Sequence, residues 1–430
     1  MLLDFTVENF RSIKGAETLS AVAASKSKSK ASNSESGRRI KSDDEIAEPF
    51  HVEGWDIDVL PVIAIFGANA SGKSNVLKAL NYLLKFMSEG NYDRGAELIP
   101  FKLNQQSRES PSSFKLRILF DGTIYIYSLI LNSNRILSEK LEYALVSTKR
   151  YRLLYSRFWN EEHQKFEWKN GSDFSGAHIQ LEKNLQEREP FTSLFSKLEI
   201  QVIDAFTLWF SASFMANALS NTMYINVMWN LSQTSNPEFS PFLERAKKLL
   251  IKFDTGLHDI QIKKSKDNEM DIEVTAFHKT EQGEILSWKF EEESTGTQSL
   301  FNLAASIEFI LQGYLPLVID ELGSNLHPNI VHNIVQLFQD KQTNPKRAQL
   351  IFTSHDNTLQ RNNLLRRDQI WFTQKRPDQS TELYSLSDFK VRNDLAIDKA
   401  YLDGRFGAVP FISDEDEEPT NSEEKDKDNG

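Results

Sequence analysis

Gly67-Ala68-Asn69-Ala70-Ser71-Gly72-Lys73-Ser74 stands directly after the apolar run Val62-Ile63-Ala64-Ile65-Phe66. It is followed by Val76, Leu77, Leu80, Leu83, Leu84 and Met87, apolar at helical spacing. G-x-x-x-x-G-K-[ST] between a strand and a helix is the pattern of a phosphate-binding P-loop. Gly67 and Gly72 allow a turn whose N–H groups converge on phosphate oxygens, Lys73 reaches the β- and γ-phosphates, and Ser74 offers a hydroxyl to Mg²⁺. The helix adds the positive end of its dipole. A nucleotide site in an α/β fold is the expectation.

Such a loop needs an acidic partner, because the metal and the attacking water must both be held. Leu315-Pro316-Leu317-Val318-Ile319-Asp320-Glu321 supplies one: a short buried strand ending in two carboxylates. Where the strand ends the chain turns, so Asp320 can address the metal shell while Glu321 polarises water. Gln349 to His355 is the next strand. A lone histidine is more often structural, but at the end of this strand His355 can reach the γ-phosphate. Pro328 to Lys341, between the two, reads as a helix with Ile330, Ile334, Val335 and Phe338 inward. Upstream, Glu293-Ser294-Thr295-Gly296-Thr297-Gln298 stands at the start of a helix expected over Ser299 to Leu311. A serine and a glycine at a helix N-terminus make a second anion site, far from the P-loop in sequence. Two anion sites suggest one ATP held between two subunits.

The 430 residues suffice for a large core and two or three structural units, and 40% hydrophobic with 26% charged is ordinary for a soluble globular chain. The absence of cysteine excludes disulfides, thiolate metal sites and cysteine catalysis. Asp4 and Glu8 spoil a signal peptide, and no apolar run approaches a membrane span, so a cytoplasmic protein without a membrane is expected. Of the net charge of −11, residues 414–430 carry −7 through nine acids and two lysines, which leaves −4 for residues 1–413. The body is nearly neutral. A local basic surface for DNA or RNA is left open and not indicated.

Leu3, Phe5 and Val7 alternate along a first strand, and a second is expected near Thr18 to Val22. Ser25 to Lys41, rich in Ser, Lys and Arg, reads as a solvated loop or a basic arm. Phe114, Leu116, Ile118 and Phe120 alternate up to Asp121-Gly122, and Ile124 to Leu131 runs back, a hairpin signal. Strand patterns near Leu141 to Ser147, Tyr151 to Phe158 and Phe166 to Lys169 complete an antiparallel region. Phe206, Trp209, Phe210 and Phe214, then Phe242, Ala246, Leu249 and Leu250, mark a helical insertion whose exposed part would serve a partner or a second copy. Strands are expected again at Asp259 to Lys263, Asp271 to His278 and Ile285 to Phe290.

These residues resemble the ABC-type ATPases, and more narrowly the RecF, SMC and OLD branch, whose P-loop often reads G-x-N-x-x-G-K-S-N, matched here by Asn69 and Asn75. Phe5 to Ser12, Glu293 to Gln298, Asp320 to Pro328, Thr353 to Asp356 and Tyr401 to Ile412 are similar to AAA-type ATP-binding proteins of bacterial abortive-infection and anti-phage operons, such as the AbiL type. The resemblance implies a mixed sheet with an antiparallel β-subdomain and a mainly helical insertion. It makes Gly67, Asn69, Gly72, Lys73, Ser74 and Asn75 the nucleotide loop, and Ser294 and Gly296 the signature loop acting on the other subunit's ATP. Ser74 and Asp320 become the Mg²⁺ ligands, Glu321 the catalytic base and His355 the switch histidine. Two departures stand out: Thr295-Gly296-Thr297 replaces a double glycine, and only Gln105 or Gln106 offers a glutamine after the P-loop.

The expected division is 1–170 and 259–412 as the two halves of the ATPase, 171–258 as the insertion and 413–430 as an acidic solvated tail. The expected activity is Mg²⁺-dependent ATP hydrolysis by a homodimer or larger homo-oligomer, acting as sensor or motor of an anti-phage defence system. A nuclease-like effector from a neighbouring gene and a phage protein or nucleic-acid trigger are the implied partners. The chain itself is expected to lack nuclease activity, since Asp414-Glu415-Asp416 stands fourteen residues from the last one and imitates only the D-x-D of OLD nucleases. A RecF-like or SMC-like repair ATPase is the alternative. A small-molecule kinase accounts for neither Ser294 to Gln298 nor the pair of Glu321 and His355.

Overall fold

The P-loop strand Val62–Gly67 is buried at every position and lies in the middle of a five-stranded sheet. On one side it pairs in parallel with the switch strand Gln349–Thr353, itself parallel to the acidic strand Pro316–Ile319. On the other side it pairs in parallel with Ile370–Lys375, which the edge strand Thr381–Ser385 follows antiparallel. A parallel sheet covered on both faces needs continuous apolar strands, and Val62-Ile63-Ala64-Ile65-Phe66 is such a run. The register sets Thr353 beside Ile65 and Ile319 beside Phe352, so the central strands end together. The crevice outside those carboxyl ends, where the chain departs to both sides, is where such sheets hold ligands.

This is a computed structural model, and it describes residues 1–24, 32–33, 39–40, 46–90, 98–174, 182, 185–197, 201–218, 242–253, 256–264, 272–324, 326–361, 364–392 and 395–410. Most of the basic stretch at 25–41, the middle of the helical insertion at 219–241 and the acidic tail at 413–430 lie outside the described residues.

A second, antiparallel sheet has seven strands in the order Lys165–Asn170, Arg152–Asn160, Ile136–Leu145, Thr123–Leu131, Ser112–Phe120, Leu2–Glu8 and Glu17–Ser20. Its Asp121-Gly122 hairpin has φ of 48° and 71°, the two left-handed positions that a type I′ turn requires. The P-loop helix Lys73–Glu89 packs on both sheets. Tyr82 lies 5.4 Å from Phe114 of the antiparallel sheet, ring centre to ring centre, and 5.6 Å from Phe10. One hydrophobic core is therefore continuous from the first strand to the P-loop.

Of the insertion, helix Gln201–Ala218 packs along the P-loop helix, and Phe242–Lys252 packs along the later helix Thr295–Leu311. A small sheet of Asp259–Lys264, Ile272–Lys279 and Ile285–Lys289 leads into that later helix. The helix begins at Thr295, four residues before the expected Ser299. The Ser294 hydroxyl accepts the Thr297 N–H at 3.1 Å and so caps it, which moves Gly296 into its first turn. The acidic strand ends at Ile319, before its carboxylates, because Glu321 has left extended backbone at φ 58°.

Inside the antiparallel sheet the fully buried Glu139 accepts the Tyr155 hydroxyl at 2.8 Å, the Tyr127 hydroxyl at 2.9 Å, Arg157 Nε at 2.7 Å and the Phe191 N–H at 3.0 Å. Arg157 also donates to the Glu189 carbonyl, so the pair ties the first part of the insertion to the sheet. Arg157→Leu would leave a buried carboxylate without its cation, a loss of about 3–5 kcal/mol. The expected outcome is a clear fall in the urea midpoint; an unchanged midpoint would show that the sheet does not depend on the pair.

Candidate nucleotide-binding site

The P-loop is gripped by hydroxyl groups from three other parts of the chain. Ser71 Oγ lies 2.6 Å from Thr373 Oγ1, and Thr381 Oγ1 donates to the Ser71 carbonyl at 2.8 Å. Having spent its single proton there, Thr381 accepts from Ser12 Oγ at 2.7 Å, and Ser12 in turn accepts Asn75 Nδ2 at 2.7 Å. The approach is so close that only glycine fits: a Cβ at Gly72 (φ 113°) would stand 2.0 Å from Thr381 Oγ1, and one at Gly67 would stand 2.4 Å from the Thr373 carbonyl. Ser12, Thr373 and Thr381 were not singled out from the sequence. On a strand a threonine reads as ordinary β-former, and nothing local marks it as facing a loop 300 residues away.

Lys73 is 5% exposed and donates to the carbonyls of Gly67 at 2.9 Å and Ala68 at 3.0 Å. Burial pulls its pKa below the ordinary value, opposed by the nearby carboxylates of Glu321 and Asp320. A phosphate chain in the loop would act in the same direction as those carboxylates.

The acidic corner meets the P-loop helix directly. Asp320 Oδ1 accepts Ser74 Oγ at 2.9 Å and Thr353 Oγ1 at 2.7 Å. Thr353 is fully buried and its oxygen also accepts the Glu321 N–H at 2.7 Å, while its carbonyl accepts the Leu322 N–H at 2.9 Å. One hydroxyl thus orients Asp320 and holds the turn that aims Glu321, and Thr353 too is legible only once the two strands lie side by side. A serine hydroxyl beside exposed carboxylates is a hard oxygen set that fits Mg²⁺. His355 is exposed at the end of the switch strand. Burial and the Lys73 ammonium hold its pKa below the usual imidazole value, with Glu321 and Asp320 opposing, so Lys73, Asp320, Glu321 and His355 share one electrostatic neighbourhood.

A cleft of about 590 Å³ opens over the P-loop, lined by Gly67, Asn69 and His355 and, on the far wall, by Lys375, Tyr401 and Pro410. The Tyr401 to Pro410 segment supplies most of that wall. Tyr401 Oη donates to the Ala408 carbonyl at 3.1 Å and Tyr384 Oη to the Phe406 carbonyl at 2.6 Å.

Other expected site residues stand elsewhere. Asn75 donates to Ser12, and of the expected site residues Gly67, Asn69 and His355 line this cleft while Gly72, Lys73, Ser74, Asn75, Asp320 and Glu321 do not. Gln105 and Gln106 are exposed on the short helix Gln105–Glu109. The buried Asn9 holds that region by accepting the Phe101 N–H at 3.0 Å and donating to the Ser107 carbonyl at 2.8 Å. Among the described residues no hydrogen bond joins Ser294 or Gly296 to the P-loop, and neither lines the cleft.

A family model described as "AAA domain, putative AbiEii toxin, Type IV TA system" matches residues 62–361. None of the curated proteins compared matches the chain. Among solved structures, an SMC head bound to the C-winged helix domain of ScpA is similar over 93% of this chain and 99% of that one, at 13% identity and a TM-score of 0.43. The SMC head domain from Thermotoga maritima is similar over 89% and 98%, at 12% identity and TM-score 0.39. A Pyrococcus furiosus Smc head with an extended coiled coil, bound to the C-terminal domain of ScpA, is similar over 94% and 98%, at 12% identity and TM-score 0.40.

Thr353→Val keeps the shape and removes the hydroxyl. Asp320 Oδ1 then keeps only Ser74 as a donor, and the Glu321 N–H loses its acceptor. We expect ATP turnover to fall while nucleotide affinity stays near that of the unmutated protein; undiminished turnover would show that Thr353 does not position the carboxylates.

Proposed function

The chain belongs to the AAA-domain family of AbiEii type, and on that premise we propose that it is an ABC-type ATPase working as a homodimer with two shared ATP sites. The observation that carries the reading is the 2.9 Å bond from Ser74 to Asp320, which joins the two chemical halves of a P-loop ATPase from positions 246 residues apart. Supporting it are the single electrostatic neighbourhood of Lys73, Asp320, Glu321 and His355, and a capped helix at Ser294 that, among the described residues, makes no hydrogen bond to the P-loop.

In this reading the loop amides and Lys73 bind the phosphate chain, with Asn69 at its rim. Ser74 and Asp320 would hold Mg²⁺, which would supply neutralisation of charge on the phosphate oxygens. Glu321 Oε takes the proton of the water that attacks the γ-phosphorus, and the ADP oxygen leaves in line. His355, at the end of the switch strand, orients the γ-phosphate through a ring N–H. Ser294 and Gly296 of the second copy supply a hydroxyl and helix-terminal N–H groups to the same phosphate.

The cycle serves as the switch of a cytoplasmic anti-phage system whose effector is a separate protein, in keeping with a family described by a toxin–antitoxin system. The closed and open dimers would hold the effector differently. Helix Gln201–Ala218, with Leu208 61% exposed, offers it a surface.

Glu321→Gln should bind ATP normally and lose roughly 100- to 10,000-fold in turnover, the usual worth of a general base. Turnover equal to that of the unmutated protein would place the base elsewhere.

Lys73→Ala and Ser294→Arg should each be inactive alone. Mixed, they form dimers in which one composite site carries both lesions and the other neither, so activity should return. Persistent inactivity of proven mixed dimers would sink the shared site. ATP-dependent capture of DNA ends by the unmutated protein would favour the repair alternative.

A further inference from the structure

Glu293 immediately precedes Ser294, and it is the buried member of three consecutive acids: Glu291 and Glu292 are exposed, whereas the Glu293 side chain is 8% exposed. Two flat rings converge on one of its oxygens. His278 Nε2 and Trp288 Nε1 each lie 2.7 Å from Glu293 Oε1, and the two rings stack on each other at 4.1 Å with 11° between their planes. His278 and Trp288 belong to adjacent strands of the small sheet. The backbone around the carboxylate is tied as well: the Glu293 N–H reaches the Phe290 carbonyl at 3.1 Å, and Gln298 Nε2 donates to the carbonyls of Glu293 at 2.9 Å and Glu291 at 3.1 Å. Below it, Phe290 packs on Phe301 of the Thr295–Leu311 helix at 5.1 Å between ring centres.

A surface acid beside a histidine needs no such housing, and an exposed pair of that kind contributes little to stability. Here the carboxylate cannot rotate without breaking both ring contacts, so its side-chain torsions fix the backbone that carries Ser294. Ser294 is exposed and Gly296 half-buried, directly beyond this anchor. We propose that Glu293, held by His278 and Trp288, is the positioning residue that presents Ser294 and Gly296 to the ATP bound by a second copy. This rests on the shared-site reading given above. The small sheet is then the frame of the signature loop: a shift of its strands moves Ser294 with them, and the P-loop half is untouched.

The test uses the full chain. Glu293→Ala removes the acceptor, Glu293→Gln keeps an oxygen that both ring N–H groups can reach, and Trp288→Phe keeps the ring and removes one donor. Glu293→Ala should bind ATP within about twofold of the unmutated protein and lose at least about tenfold in kcat, with little change in KM, because the lesion acts on the partner's γ-phosphate and not on its own P-loop. Glu293→Gln should recover most of the turnover, and Trp288→Phe should show a smaller loss of the same kind. Mixing Glu293→Ala with Lys73→Ala should restore activity, and mixing it with Ser294→Arg should not, since those two lesions fall on the same half of each site. Unmutated turnover in Glu293→Ala overturns the assignment. So does failure of both Glu293→Ala and Trp288→Phe to complement Lys73→Ala when Ser294→Arg succeeds. If Ser294→Arg also fails to complement Lys73→Ala, the shared-site reading falls and the assignment with it.

Discussion

Gly72 pressed against the Thr381 hydroxyl is the contact on which the rest depends. The edge strand Thr381–Ser385 and its neighbour Ile370–Lys375 lie against the P-loop with no room for a single carbon. In return their hydroxyls fasten Ser71, while Ser12 fastens Thr381 and Asn75. A loop built to offer its N–H groups to a ligand cannot use them to hold itself, so side chains from elsewhere must do so. The loop is thereby shaped before any phosphate arrives, which lowers the ordering cost of binding.

The acidic corner follows the same logic. Asp320 and Glu321 are neighbours in sequence, and Asp320 is the one that accepts Ser74 and Thr353. The left-handed backbone at Glu321 separates them, and Thr353 stabilises that turn by accepting the Glu321 N–H. Strain of this kind at a non-glycine residue persists only where the surroundings over-determine it, and such places gather at functional sites. Ser74 then links the corner to the P-loop helix, so the two halves of the site register on each other through one carboxylate oxygen.

The helical region touches both halves. Thr192 donates to the Met87 carbonyl at 3.1 Å near the end of the P-loop helix, and Phe191 reaches into the Glu139 cluster. Helix Gln201–Ala218 lies along the P-loop helix, while Arg245 of Phe242–Lys252 pairs at 3.0 Å with Glu308 of the helix that Ser294 caps. The helical region therefore packs on the P-loop helix and on the helix that Ser294 caps alike. Among the described residues no helix is long and apolar enough to cross a membrane, and no cluster of three or more His, Asp or Glu side chains could hold a metal.

The sequence by itself determined the elements that obey local rules. The P-loop declares itself through glycine spacing between a continuous apolar strand and a helical periodicity, the hairpin through Asp121-Gly122, and the acidic strand through four apolar residues ahead of Asp320. Each of these signals arises within a few residues, so one chain suffices to read it. The helix after Glu293 starts four residues before its apolar periodicity does, because the Ser294 oxygen meets the Thr297 N–H and closes a first turn that carries no apolar pattern. The grip of Ser12, Thr373 and Thr381 on the loop, the double duty of Thr353, and the housing of Glu293 by His278 and Trp288 were decided by the tertiary structure alone. Each pairs a polar side chain with a group that only strand order and register bring within 3 Å, and a hydroxyl in a strand carries no mark of the distant partner it will meet.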